Sequence, residues 1–236
     1  MLDLVEEIKF AELKEKCREL KVMAPPEIMI SLKVTEKDKT IFDDIQRGHS
    51  WTRNFYSYML STITRAEVSG STYAVGSNAG KEITGLIGTA AGRCWSVNTN
   101  VIAGAGIVNN VTNANYGVVV GTTDTAFSAN DFKLGARVEH GTSSTQLSYQ
   151  AQANPASSYN SGTKVWTTTV QRVFNNNSGG SITIKEVGLY WVGFAHAISS
   201  GTYCLERSVL SPTITIPDGA QLTVSYAISM DFSAID

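Results

Sequence analysis

Charge is scarce in this chain. Of its 236 residues only 17% are Asp, Glu, Lys or Arg, against roughly 25% in an ordinary globular protein. The formal net charge is -2, so no electrostatic attraction recommends nucleic acid or an anionic membrane as the main partner. No apolar run approaches the roughly 20 residues that span a bilayer as a helix. The opening MLDLVEEIKF is acidic and lacks the basic stretch that begins a secretory signal, so none is expected. Cysteine is scarce too. Cys17, Cys94 and Cys204 are odd in number and far apart, which excludes an extensive disulfide framework and argues against zinc. They read as small, partly buried apolar residues, with one disulfide, within or between chains, left open.

Reactive constellations are missing as well. His49, His140 and His196 stand apart, without HxH, HxxxH or HExxH spacing, and no GxSxG elbow occurs. GSNAGKE (76–82) and GAGIVNN (104–110) are glycine-rich but lack the GxxxxGK[ST] order of a phosphate loop, and read as turns. Asp124, Asn130 and Asp131 are oxygen donors without the spacing of a calcium loop, so turn capping is the better reading. The expectation is a non-enzymatic protein with no catalytic residue, cofactor or metal.

What charge there is crowds into one end. Residues 1–50 carry 9 Lys/Arg and 11 Asp/Glu, half of all the charges. Such a shift in composition predicts a boundary, here between a charged, partly helical arm (residues 1–65) and a β-sandwich domain (66–236). Phe10, Leu13, Cys17 and Leu20 recur at helical spacing, and Pro25 and Pro26 end that helix. EIMISLKV (27–34) reads as a short strand. A second helix is expected over 50–64, with Ser50 as its cap and Trp51, Phe55, Tyr58 and Met59 along one face. Helices outside a closed sandwich need something to cover their apolar faces. Phe10, Leu13, Cys17, Leu20, Trp51, Phe55, Tyr58 and Met59 are therefore the candidate interface with neighbouring subunits.

Beyond residue 66 the pattern changes to a period of two. QLTVSYAISMDF (221–232) alternates apolar and polar residues without a break, and PDG before it is a turn. NNNSGG (175–180) is expected to close a hairpin between KVWTTTVQRVF and SITIKEVGLYW. Turns every ten to fifteen residues favour a mainly β, sandwich or jelly-roll-like architecture over a βαβ one. Arg137, Glu139, Lys185, Glu186, Glu206 and Arg207 are rare charges in polar strands, read as edge protection or as ion pairs between subunits. Tyr116, Tyr149, Tyr159 and Trp166 serve either packing or sugar recognition.

Three stretches together resemble a C-terminal module of tailed-bacteriophage virion proteins. They are residues 118–150, VFNNNSGGSITIKEVGLYW, and LERSVLSPTITIPDGAQLTVSYAISMDF, preceded by GHSWTRNFYSYML (48–60). The resemblance implies a structural subunit located in the virion and made in the host cytoplasm. Its partners would be copies of itself and other virion proteins. A second expectation is a receptor- or glycan-binding module of a tail tip or fibre. Such modules serve in capsid, neck, tail and fibre alike, so position in the particle stays open.

Overall fold

The computed structural model describes residues 4–49, 51–56, 112, 114–196 and 199–235, with the backbone alone at 4–6, 192–196 and 199–201. Its elements in chain order are one helix, α1 (Leu4–Glu19), and nine strands. These are β1 (Glu27–Glu36), β2 (Lys39–Arg47), β3 (Gly117–Gly121), β4 (Ser148–Tyr149), β5 (Ala156–Asn160), β6 (Val165–Asn175), β7 (Ile182–His196), β8 (Ser199–Ile216) and β9 (Gln221–Asp231). The protein is mainly β, and its strands pair antiparallel in a sandwich-like arrangement with a helix at the N-terminus.

One sheet has the order β2-β1-β9-β6-β4, with β5 also paired to β6; the other is β3-β7-β8. Alternation dictates which side chains meet between them. From β1 come Ile28, Ile30, Leu32 and Val34, and from β9 Leu222, Val224 and Tyr226. Val170 and Phe174 come from β6, and all join one buried cluster with Val118–Val120, Ile184, Val187 and Leu189 of the smaller sheet. Sheets covered on one face need this period of two, and the sequence supplies it in EIMISLKV and QLTVSYAI.

Two expectations are corrected here. The fold does not divide at residue 66, because β1 lies beside β9 over Glu27–Thr35 and belongs to the larger sheet. The high charge of residues 1–50 misled because β2 is an exposed edge strand, where charge is useful, while the inward positions of β1 stay apolar. Nor does NNNSGG close a hairpin: β6 pairs with β9, β7 pairs with β8, and the segment is an arch from one sheet to the other. The Pro217–Gly219 turn is a second arch beside it. Gly219, at φ 77°, takes the left-handed position there. Asn176 is fully buried and ties the two arches together. Its Nδ2 donates to the carbonyls of Gly180 and Ile216, both at 2.8 Å, and its backbone carbonyl accepts from Gly219 N at 2.8 Å.

Each side of the sandwich is closed by a polar seam. On one side Gln46 of β2 accepts from Ser211 N at 3.0 Å and donates to Pro212 O at 3.4 Å. On the other, buried Arg172 of β6 donates to the carbonyls of Gln150, Tyr116 and Val118 at 2.9, 3.0 and 3.2 Å. Its guanidinium lies 4.9 Å from the Tyr149 ring centre, and burial brings its pKa down to about 10.

Candidate interaction surface and the buried charges beside it

The spacing of α1 predicts a stripe at Phe10, Leu13, Cys17 and Leu20; the helix docks on a face rotated away from it. Glu7, Phe10, Lys14 and Cys17 recur at the same three-four-three interval and turn toward the larger sheet. Glu7 receives a two-pronged pair from Arg47 of β2, both bonds 2.6 Å, which holds the Glu7 carboxyl below its ordinary value. Lys14 meets Glu27 of β1 at 3.4 Å, and Arg18 meets Asp231 of β9 at 3.7 Å. The helix thus straps the ends of β2, β1 and β9 in their order in the sheet. Phe10 lies beneath the Arg47 guanidinium at 4.3 Å, and Cys17 is buried.

This docking leaves Leu13 and Leu20 outside, 40% and 73% exposed. The helix also ends sooner than Pro25. Val22 N donates to Cys17 O at 2.9 Å and Lys21 N to Arg18 O at 3.1 Å, with Lys21 at φ 53°. That is the left-handed closing turn that usually employs glycine.

Beside α1 runs a groove of about 320 Å³ between Leu13, Pro26, Gly48, Trp51 and Tyr56. Trp51 forms its floor and is part of the chain's own core. It is buried, its Nε1 donates to Pro26 O at 3.1 Å, and Phe55 stacks on it at 3.8 Å. Of the expected second helix, a single turn at 53–56 is present; Ser50, Tyr58 and Met59 lie outside the described residues. The six candidate interface residues that are described therefore separate: Leu13 and Leu20 are open, Phe10 and Phe55 half-buried, and Cys17 and Trp51 enclosed.

Behind the groove is a group that the sequence reading missed. Glu206 is not an edge charge: it is fully buried between the sheets. It accepts from the Tyr226 hydroxyl at 2.7 Å and from the Ser208 hydroxyl. Ser208 Oγ in turn accepts from His49 N at 2.9 Å, and the Trp51 backbone bridges to Glu206. Burial raises the Glu206 pKa from 4.5 to about 7, against the opposing hydrogen bonds from Ser208 and Tyr226. In LERSVL, Glu206 and Arg207 are neighbours in a strand and must point to opposite faces. Both faces of β8 are covered here, so both charges are interior.

Glu186 and Arg207 meet on the other face of the smaller sheet, under the loop 122–138. Arg207 Nε binds Glu186 Oε2 at 2.7 Å and its NH1 binds Asp131 at 2.9 Å. Gly121 leaves room for this, since a Cβ there would lie 2.5 Å from Glu186 Oε1. Asp124 pairs with Lys185 at 2.8 Å, and Arg137 with Glu139 at 2.8 Å. Asp124 and Asp131 are therefore engaged by cations of the chain itself. His140 Nδ1 accepts from Tyr149 N at 3.1 Å, and the His49 ring stacks on Phe127. Among the described residues no group of three or more His, Cys, Asp or Glu is placed to hold a metal ion, and no helix is long and apolar enough to cross a membrane.

The raised Glu206 pKa has a measurable consequence. Between pH 4.5 and about 7 the folded protein keeps a proton that the unfolded chain releases. That contribution is full below pH 4.5 and lost as pH rises through 7. Glu206→Gln keeps an uncharged group of the same shape, with a carbonyl acceptor and an N–H donor, although it brings a second N–H. By urea denaturation it is expected to match the parent near pH 4.5 and to be more stable by about 3 kcal/mol at pH 8. A difference that does not change with pH would show that Glu206 is not held neutral.

What the fold and these surfaces define is a mainly antiparallel β protein with an ion-paired helical strap and an open apolar flank. In comparisons with known proteins, no family model matches the chain, and neither a curated protein nor a solved structure matches it.

Proposed function

We propose that the protein is a non-enzymatic structural subunit of a tailed-phage virion, built into capsid, neck or tail by repeated contacts with copies of itself and other virion proteins. The observation that carries this is the flank of α1. A helix fixed to its own sheet by three ion pairs leaves Leu13 and, just past its end, Leu20 exposed. Leu13 stands at the rim of a groove that mixes Pro26, Trp51 and Tyr56 with Lys9, Glu27 and Arg47. Burying two such side chains is worth about 1.5–3 kcal/mol each, and symmetric repetition multiplies the effect. The stretches that resemble the virion module are also the strands at the heart of the fold: ITIKEVGLYW lies in β7, LERSVL in β8 and LTVSYAISMD in β9.

The test is Leu13→Ser with Leu20→Ser. Neither side chain supports the core, so the melting temperature of the variant is expected to stay within about 2 °C of the parent. Sedimentation velocity over a concentration series is expected to show an assembled parent and a dissociated variant. Equal assembly of the two would remove α1 from the contact and this reading with it. A glycan-binding reading is favoured by a separate observation at the opposite edge of the larger sheet.

A further inference from the structure

Tyr149 is fully buried against Phe174, with ring centres 4.7 Å apart, and Tyr116 packs on the core. Tyr159 and Trp166 are not used in that way. They are direct partners across the β5–β6 ladder, 6.2 Å between ring centres and tilted by 32°, and are 49% and 41% exposed. With Phe232 and Ile235 they line an open depression of about 430 Å³, within the size range of small-ligand sites.

The position follows from the register. Trp166 pairs with Met230 and Thr168 with Ile228, so these residues continue the row of Val170 and Tyr226, which face the core. Here that row runs on into solvent. β5, ASSYN, is exposed along its whole length and adds hydroxyl and amide groups instead of apolar ones.

We infer that this depression is a binding site for an uncharged saccharide. The C–H face of a pyranose is apolar and weakly positive, and it lies well on the electron-rich face of an aromatic ring; Tyr159 and Trp166 offer two such rings side by side. The polar groups around them suit the rim of a sugar. Ser157 Oγ and Thr168 Oγ1 share a hydrogen bond of 2.9 Å, and the Trp166 indole donates to Thr168 at 3.3 Å. This chain of hydroxyls fixes the indole without using its ring faces. Asn160 accepts with Oδ1 from Gly162 N and Thr163 N at 2.9 and 3.1 Å, which pins the β5–β6 turn. Its Nδ2 and the Tyr159 hydroxyl make no hydrogen bond among the described residues. All four lining side chains are uncharged. The nearby Asp231 carboxylate accepts from Ser233 and pairs with Arg18, so among the described residues the lining offers no charge to select an ionic ligand. The depression takes no lining residue from α1, whose Arg18 reaches only the neighbouring Asp231, and it does not depend on the assembly reading.

Among the described residues Trp166 is the exposed tryptophan, since Trp51 and Trp191 are buried; Trp95 lies outside them, and a parallel titration of Trp166→Ala separates its emission from that of Trp166. The experiment titrates the full chain with maltohexaose, cellohexaose and hexa-N-acetylchitohexaose, following tryptophan emission. At least one of the three is expected to give a saturable change, with a dissociation constant on the order of 0.1–1 mM. Trp166→Ala and Tyr159→Ala should each weaken that binding tenfold or more, read for Trp166→Ala by calorimetry. Both variants should keep the parent's melting temperature, since neither residue is core. No saturable change with any of the three sugars overturns the proposal, as does binding that survives Trp166→Ala. A drop in the assembly state of Trp166→Ala at unchanged stability would also overturn it, and would assign the patch to a contact between copies.

Discussion

A fragment that begins at residue 66 is expected not to fold. The composition of the chain argues the reverse, since the uncharged part looks self-sufficient. In the structure β9 has β1 on one side and β6 on the other, so removing residues 1–65 turns a central strand into a bare edge. It also removes Ile28, Ile30, Leu32 and Val34, every one buried, and Trp51 with them. At about 1.5–3 kcal/mol for each buried side chain, the loss is comparable to the whole stability of a domain, about 5–15 kcal/mol. Circular dichroism of residues 66–236 should show no cooperative melt. A fragment beginning at residue 21, which lacks only α1, should still melt cooperatively. Its three lost ion pairs are partly exposed and weak, about 0–1 kcal/mol each. If the shorter fragment melts within a few degrees of the full chain, the pairing of β1 with β9 is not what holds the larger sheet together.

What the sequence makes legible follows from where physical chemistry is local. Strict alternation in 221–232 predicts β9, and the Thr/Ile run after NNNSGG predicts β7, because a period of two is written residue by residue. The Pro-Asp-Gly turn is equally local. Pairing is not. NNNSGG suits a hairpin turn and an arch equally well by composition. Only the destinations of β6 and β7 in different sheets, fixed by burial on both sides, tell the two apart. The same limit hides the site. Phe10, Leu13 and Cys17 are correctly placed on a helix and Leu20 falls in the turn just after it, but which flank docks is decided by Arg47, Glu27 and Asp231, brought in from three strands. Tyr149 and Tyr159 are alike as residues in a polar segment. One fills the seam beside Arg172 and the other stands in water, and nothing within a few positions of either says so. Glu206 and Arg207 did carry a signal. Adjacent charges in a strand that reads CLERSVL point to both faces, so a strand covered on both sides has to bury them both.

Arg207→Ala is expected to cost about 3–5 kcal/mol, the usual consequence of leaving one member of a buried ion pair alone. The guanidinium makes three contacts at once: Glu186 at 2.7 Å, Asp131 at 2.9 Å and the Thr125 carbonyl at 2.8 Å. Without it, the Glu186 carboxylate, which has no exposure to water, retains only the amides of Gly135 and Ala136, at 3.2 and 3.0 Å. Those amides belong to the loop that Arg207 also fastens through Thr125 and Asp131. The loop and the charge therefore fail together, and hydrogen exchange at residues 122–138 should rise in the variant more than exchange in β9. Arg207→Lys keeps the charge but offers a single compact cation in place of a planar fork, and should recover only part of the loss. Arg207→Met combined with Glu186→Gln removes both charges and should come back to within about 1–2 kcal/mol of the parent, because the penalty lies in the unpaired ion and not in the missing bridge. If Arg207→Ala costs less than about 1 kcal/mol in urea, Glu186 is not enclosed as described. If the double variant is as unstable as the single one, the packing of Arg207, not its charge, holds the loop to the sheet.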